Sequence, residues 1–491
     1  MKSKLFILAG VLALSSIAFS QEKEHVQRGP VHEEENVQPL FKLPYATAVG
    51  QPALTVTYGN FTAYQVNVNA DQHDIVGDAA NEPSIAVNPH NPLEMAIGWR
   101  QFGTITSDFR QGGNAWSNDG GHTWHNMPPL TDINGPQFRS DPVLTFDSNG
   151  QFFYDSLIIP NNNFICQVWN STDHQNWLGP VYAWGGDKSW IVSDNILTSA
   201  GNGNLYQCWS DYAGTAGDNT FSRSIPNAAG FHASWETPVL PTGDPTFGTV
   251  DVGPGGEVYD AGMRPDQTNM VITRSDDAKN KFSTPVHFGP SHDFDMGGML
   301  VTTNINPVGL DGQLYCKVAG PFSPFHGTVY CLASVGLWDQ FRNVTDNVHV
   351  MFVKSPDGGQ TFSPPVRVDA VPPSGQNNIA WFGTMSVSPN GRIDCVYNST
   401  GYSNAFGPLT TVTLYTFSFD NGNHWANPIQ ITPAWNPSIG WPIQQKIGDY
   451  YTTISALDHV DLAFSATFSG GQDVYYMRIP APLSRTPRQG T

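Results

Sequence analysis

Trp116-Ser117-Asn118-Asp119-Gly120-Gly121-His122-Thr123-Trp124 is the stretch whose reading decides the fold. It has the form Ser-x-Asp-x-Gly-x-Thr-Trp. Its glycines permit the positive φ that a tight turn demands. Its aspartate can accept hydrogen bonds from backbone N–H groups inside the turn. Its second tryptophan can then plug the turn onto a sheet below. The stretch therefore reads as a self-capped corner between two strands. It recurs as Ser355-Pro356-Asp357-Gly358-Gly359-Gln360-Thr361-Phe362 and as Ser418-Phe419-Asp420-Asn421-Gly422-Asn423-His424-Trp425. Ser275-Asp276-Asp277-Ala278-Lys279-Asn280-Lys281-Phe282 is a copy without its glycine, and Ser171-Thr172-Asp173-His174-Gln175-Asn176-Trp177 is a shortened one.

These copies resemble the Asp-box, or BNR repeat, of the sialidase superfamily of β-propellers. The repeat marks a scaffold more strongly than an activity, because one fold hosts many functions.

Between the corners the text is built from short apolar runs separated by turn residues. One set of runs starts from a polar loop: Glu82-Pro83-Ser84-Ile85, Asp141-Pro142-Val143-Leu144, Lys188-Ser189-Trp190-Ile191, Thr246-Phe247-Gly248-Thr249, Gly298-Met299-Leu300-Val301, Trp381-Phe382-Gly383-Thr384 and Tyr450-Tyr451-Thr452-Thr453. Each leads into a turn and a second strand, as at Asn149-Gly150, Asn202-Gly203, Gly255-Gly256, Asp311-Gly312 and Asn390-Gly391. Asn-Gly and Asp-Gly between alternating runs signal hairpins. A period of about 50–80 residues with four strands per unit predicts an all-β chain forming a single β-propeller of four-stranded antiparallel blades. Seven blades fit the count better than six, and a strand within residues 53–69 would close the ring. Charged residues make up only 13% of the chain and aromatics 12%, with 48 Gly and 38 Pro, which suits many short strands.

Residues 1–20 read as a signal peptide, with Lys2 and Lys4 ahead of an apolar run and Ala18-Phe19-Ser20 at the cleavage point. A secreted or periplasmic protein is expected. Residues 21–50 read as a flexible acidic leader, 51–480 as the propeller and 481–491 as a tail. No later stretch is apolar enough to cross a membrane, so no integral membrane segment is expected. A net charge of −19 argues against nucleic acid as a partner. Cys316 and Cys331 lie on neighbouring strands and form the favoured disulfide among the five cysteines. The residue pattern implies no metal site and no required cofactor; structural calcium is compatible with the many carboxylates.

In a propeller the loops that lead into first strands and those that leave second strands share one end of the ring. This places Arg100, Asp211 and Arg264 beside Glu82, Arg139, Asp141, Asp187, Lys188, Asp244, Lys446 and Asp449. Arginine grips a carboxylate through two parallel hydrogen bonds, and paired carboxylates serve acid–base chemistry. The sialidase resemblance implies a glycan partner, with Arg100, Arg139 and Arg264 as a carboxylate clamp, Asp141 or Asp244 as the acid, and Tyr450 or Tyr451 as the nucleophile. Asp211, Trp190 and Trp381 are further substrate-binding candidates. The family's Arg-Ile-Pro near the start of the domain is missing; Arg478-Ile479-Pro480 carries the letters on a closing strand. Structural roles compete with each assignment: carboxylates pinning blades, arginines bridging them, tyrosines filling the core. Three functions stay open: a sialidase-like glycoside hydrolase on terminal acidic sugars, a non-catalytic glycan- or protein-binding propeller, and a uronate polysaccharide lyase using His292 or His326 with Tyr212.

Overall fold

The computed structural model describes residues 48–132, 135, 137–369, 378–401 and 410–483. The expected signal peptide, most of the leader and residues 484–491 lie outside them. No α-helix occurs among the described residues. The strands form seven radial sheets around an axis, a seven-bladed β-propeller. The inner strands are Ala79–Val87, Ser140–Phe146, Asp187–Ser193, Thr246–Val252, Tyr315–Val318, Ile379–Val387 and Thr452–Ser455, numbered here as blades 1 to 7. The upper face is the end where inner strands begin. The lower face is the end where they turn into second strands.

Blade 1 shows the plan: Ala79–Val87, Met95–Phe102, Arg110–Ser117 and His125–Leu130 run as an antiparallel meander. Blade 3 keeps three strands, and Val239 bridges to Phe221 where a fourth would lie. Blade 7 closes the ring. Its third strand, Asp473–Pro480, pairs with Phe61–Gln65 through Ala63–Met477, Tyr64–Tyr476 and Gln65–Tyr475. The expected N-terminal closing strand is therefore present, with Thr55–Tyr58 paired outside it. A separate ribbon joins Ala48–Pro52 to His73–Val76.

The core lies between blades, where sheet faces meet. Gly98 of blade 1 faces the Tyr154 ring of blade 2; a Cβ there would sit 2.4 Å from the ring. The bare backbone lets the aromatic seat fully, and Tyr154 and Trp169 are buried against blade 1 residues Ala86 and Ala96.

The quoted corners follow the third strands, whose last residues are Ser117, Ser171, Ser275, Ser355 and Ser418. Ser117 Oγ donates to Asp119 Oδ1 at 2.8 Å and accepts from the Gly121 N–H at 3.0 Å. The His122 and Thr123 N–H groups both donate to Asp119 Oδ1 at 3.0 Å. Trp124 Nε1 donates to the Gly121 carbonyl, and its ring is buried against Tyr476 of the neighbouring blade. Gly121, at φ +85, leaves room for that tyrosine. Asp357, Asp420 and Asp173 repeat the pattern, accepting from Thr361, His424 and Asn176 N–H groups at 2.9, 2.9 and 2.7 Å. Asp277, without the glycine, accepts instead from the His287 N–H at 3.0 Å.

Blade 5 departs from the expected register. Gly298-Met299 is not its inner strand; it pairs with the far end of Val329–Trp338. Tyr315–Val318, read from the sequence as a second strand, is the inner one. Residues 300–314 instead carry Asn306 and Leu310 to the axis, where both bond to the segment before blade 7. Cys316 and Cys331 stand directly opposite each other, yet all five cysteines are free and buried.

Replacing Asp119 by Ala removes the acceptor of two backbone N–H groups in a partly solvated turn. A loss of about 1–2 kcal/mol is expected, read as a lower urea midpoint with an unchanged m-value.

Candidate functional site

The inner strands of blades 1, 2, 3, 4 and 6 share one irregularity near their upper ends. In blade 1, Asn81 faces Arg100 and Ser84 faces Gly98, so three steps on one strand match two on the other. The same shift falls at Ser140/Val143, Asp187/Trp190, Thr246/Thr249 and Trp381/Thr384. This is a β-bulge, which kinks the strand and re-aims a side chain. At each bulge one residue takes a positive φ: Glu82 (52°), Asp141 (50°), Lys188 (54°), Phe247 (54°) and Phe382 (54°). None is glycine, so each position is strained, and such strain persists only where surrounding contacts impose it.

In blades 1, 2 and 3 the bulged residues are charged, and they meet. Glu82 bridges Arg100 at 3.2 Å and Lys446 at 3.1 Å. Lys446 bridges Asp449 at 2.8 Å. Lys188 reaches across the axis to the same Asp449 oxygen and lies 3.9 Å from Asp187. The Lys188 backbone N–H donates to Asp141 Oδ2 at 3.0 Å. The Leu310 N–H donates to Asp449 Oδ1 at 2.7 Å. Arg100 also donates to Asn81 at 2.8 Å and Gln444 at 3.0 Å. All these charged groups are buried. Burial pushes the Glu82 carboxyl up against the pull of Arg100. Burial works against the Lys188 ammonium, but Asp449, Asp187 and Asp141 outweigh it and hold it well up. Burial likewise opposes the Asp449 carboxylate, and Lys188 and Lys446 hold it well below the usual range. Lys446 is brought down to about 8 by burial, with Asp449 opposing. The group is a charged plug closing the upper end of the axis.

Several sequence-derived candidates belong to this plug or to the core. Arg100 and Asp141 are in the plug. Tyr450 lies beside it, its hydroxyl donating to the Pro142 carbonyl at 2.9 Å and its pKa pushed well up by burial. Tyr451 is buried against Phe382, with its hydroxyl on the Ser465 carbonyl at 2.5 Å. Trp381 is buried, with Nε1 donating to Thr400 at 2.9 Å. Trp190 packs edge-on against Tyr450 at 5.5 Å. Arg139 lies between blades, its guanidinium 4.2 Å from the Trp169 ring centre and bonded to Leu130 and Gln167. The three arginines therefore do not form one clamp; each has a different set of partners. His326 lies in the lower-face loop between Tyr315–Val318 and Val329–Trp338, whereas Tyr212 follows a second strand on the upper face. That pair is not assembled.

Asp244, Arg264 and Asp211 are brought together beside blade 4 on the upper face. A cavity of about 410 Å³ is lined by Leu240, Thr242, Asp244, Arg264 and Asp266 among others. Asp244 precedes the inner strand at φ +49 and accepts from Thr220 Oγ1 at 3.3 Å. Burial, reinforced by Asp211 and opposed by Thr220, raises its carboxyl to about 6. Arg264 bridges Asp293 at 2.6 Å, and both side chains are partly exposed. Asp293 and His292 belong to the outer strand of the same blade. Sequence reasoning put Lys188, Lys446 and Glu82 at this end of the ring and read Glu82 as a carboxylate pinning blades, but gave the two lysines no role. The place of Glu82 and Lys188 at the bulges is a register signal that pairing alone reveals. Among the described residues no group of three or more His, Cys, Asp or Glu can hold a metal ion. Among the same residues no helix is long and apolar enough to cross a membrane.

No protein-family model matches the chain, and no curated protein matches it in sequence. Solved structures do match. One is a protein of unknown function from Dyadobacter fermentans, 13% identical, covering 88% of this chain and 99% of that one, TM-score 0.45. Another is the Penicillium chrysogenum α-L-arabinanase, 13% identical, covering 87% and 98%, TM-score 0.42. A Hadza microbial sialidase is 12% identical, covering 85% of this chain and 68% of its own, TM-score 0.42.

Two outcomes follow from these charges. Lys188→Met leaves Asp449 and Asp187 buried with less compensation, so a loss of about 3–5 kcal/mol is expected, measured by urea unfolding. The second concerns pH. Burial raises the carboxyls of Asp155, Asp260 and Asp311 to about 7, 8 and 8. Between their unfolded values and these, the folded chain holds protons the unfolded chain has released, so stability falls as pH rises. His232, lowered to about 4 by burial, acts oppositely only below about 6.5, and Lys446, lowered to about 8, only as pH nears 8. From pH 6.5 to 8 the melting temperature is expected to drop by on the order of several degrees, and Asp260→Asn is expected to flatten that slope in a scanning-calorimetry series.

Proposed function

We propose that this propeller acts on a glycan carrying an anionic group, bound on the upper face beside blade 4. Asp244 donates the proton and Arg264 holds the anion. One observation carries the reading: a carboxyl raised to about 6 and a guanidinium line the same cavity of about 410 Å³. A carboxylic acid that titrates near 6 can protonate a leaving glycosidic oxygen in mildly acidic medium. Arg264 is paired with Asp293, but the carboxylate is 42% exposed. Such a surface pair is weak and can yield to a bidentate anion. Asp211 lies near enough for its charge to help raise Asp244. Tyr450 and Tyr451 are bonded to backbone carbonyls in the core, which favours the carboxylate pair over a tyrosine nucleophile. The exported setting expected from the sequence is one in which such glycans are met.

The test uses fluorogenic glycosides of sialic, glucuronic and galacturonic acid from pH 4 to 8, with neutral glycosides alongside. Activity is expected to be highest at low pH and to fall as pH rises through about 6, because the acid form is the active one. Asp244→Asn is expected to lower kcat about 10²–10⁴-fold. Arg264→Ala is expected to raise KM for acidic glycosides and leave neutral ones unchanged. A folded protein without turnover that still retards in gels containing uronate polymer is a binding module; one that does neither has another partner.

A further inference from the structure

A hairpin of blade 5 places a second guanidinium beside the site on blade 4. The hairpin joins Val329–Trp338 to Val344–Ser355 on the upper face. Asp339 builds the turn. Its carbonyl accepts from the Arg342 N–H at 3.0 Å, and its own N–H donates to the Asn343 carbonyl at 2.8 Å. Its Oδ1 accepts from the Phe341 and Asn343 N–H groups at 2.7 and 2.8 Å. Gln340, Phe341 and Arg342 form the loop between. In a three-residue hairpin loop the last position is left-handed and ordinarily glycine. Here it is Arg342, at φ 60°. An arginine at a position that favours glycine is strained, and such strain is kept where the side chain is used.

The Arg342 guanidinium leaves its own blade. It lies 4.8 Å from the Trp338 ring centre, while Nη2 donates to Asn269 Oδ1 at 3.1 Å and Nη1 to Asp295 Oδ2 at 3.3 Å. Both acceptors belong to blade 4. The Arg264 N–H donates to the Asn269 carbonyl at 2.9 Å, so these residues stand opposite each other at the top of that blade. Asp293, which holds Arg264, and Asp295, which holds Arg342, are two positions apart on one extended segment. Residues opposite each other in a sheet share a face, and so do residues two apart along a strand. Arg264, Asn269, Asp293 and Asp295 therefore share one face. Val271 is paired with Asp293 and shares it too. The Val271 side chain abuts Gly243, where a Cβ would sit 2.8 Å from it, and Gly243 lines the cavity beside Asp244. Arg342 is thus carried from blade 5 onto the face that holds the cavity. The two aspartates are about 6–7 Å apart along the chain, so the guanidiniums they hold are neighbours.

Both ion pairs are partly exposed, at 28% and 42% for Arg264 and Asp293 and at 54% and 47% for Arg342 and Asp295. Each is weak alone, and each guanidinium suits a carboxylate. A ligand with one acid group gains one such contact. A chain with two gains the second as an intramolecular event, at high effective concentration.

We propose that Arg342 is a second anion-holding residue of the site beside blade 4, and that the glycan bound there carries acidic groups on more than one sugar unit. The inference rests on the roles proposed for Asp244 and Arg264. The acid group of the unit at Asp244 bonds to Arg264, and that of a further unit bonds to Arg342.

The probes are trigalacturonate, with an acid on every unit, and a hyaluronan tetrasaccharide, with one on alternate units. Free galacturonate is the single-acid control. Each is titrated by calorimetry into the full mature chain carrying Asp244→Asn, so that binding is read without turnover. At least one oligomer is expected to bind about tenfold tighter than galacturonate, the order of one further charge-assisted hydrogen bond. Adding Arg342→Gly is expected to remove that advantage and leave galacturonate binding unchanged. Glycine suits the turn, so the urea midpoint is expected to stay level or rise, which separates a lost contact from a lost fold. The two readings fail separately. Oligomer binding that depends on Arg342, in a protein with no turnover of any glycoside, retains the second anion holder and removes the acid role of Asp244. Turnover of single-sugar glycosides by a protein that binds both oligomers no tighter than galacturonate overturns the role of Arg342 alone. That role is also overturned if neither oligomer binds, or if Arg342→Gly leaves the preference intact.

Discussion

The ammonium of Lys188 reaching Asp449 across the axis is the contact on which the arrangement of the ring's upper end depends. It joins blade 3 to the segment before blade 7. Through Asp449 it engages Lys446 and the Leu310 N–H, and through Lys446 it engages Glu82 and Arg100 of blade 1. Three blades and an excursion from a fourth are thus fixed around one carboxylate. Such charges are expensive to desolvate, and a buried ion pair is not in itself a source of stability. Its value here is geometric: a lysine and an aspartate in the dry centre of a ring have few alternative partners, so the blades that carry them have one relative placement.

The same constraint accounts for the strained backbone. Glu82, Asp141 and Lys188 hold a left-handed conformation that a β-strand does not otherwise require. The bulge turns these side chains toward their partners. In blades 4 and 6 the same backbone carries Phe247 and Phe382, which pack into apolar clusters instead. One local device therefore serves two chemistries, charged on one side of the ring and aromatic on the other. With the charged plug above and Trp190 and Tyr315 below, the axis is divided into two compartments.

Much of the fold was legible because its signals are local. The serine and aspartate of each corner lie two residues apart, so their hydrogen bond is written in one short stretch. Six of the seven inner strands also stand where their apolar runs lie. Blade 5 was misread because Asp311-Gly312 has the letters of a hairpin, whereas the chain there leads from the axis into the inner strand; the loop that reverses it is the longer stretch from Ala319 to Thr328. The site was less legible. Position along the repeat put Asp244 and Arg264 at one end of the ring, the upper face where both lie. It could not show that Arg139 lies under Trp169, or that Arg100 faces Glu82 across a bulge. Those outcomes depend on strand register within and between blades, and in part on distant partners, as with Arg100 and Gln444, separated by 344 positions.

Ring closure has a bearing on the order of synthesis. The strand Phe61–Gln65 is made early but finds its sheet only when Asp473–Pro480 appears, and Asn67 bonds to Asp473 across 406 positions. Until then the first blade has an uncovered flank on one side, and the growing arc has another at its free end. A chain of this kind gains its last interface all at once, when its two ends meet. It follows that a polypeptide stopped anywhere short of the final blade is an open arc with two adhesive flanks, a species with a strong tendency to pair with its own copies. Holding the emerging chain extended until it is complete, as passage across a membrane would do, removes that hazard without any change in the native contacts.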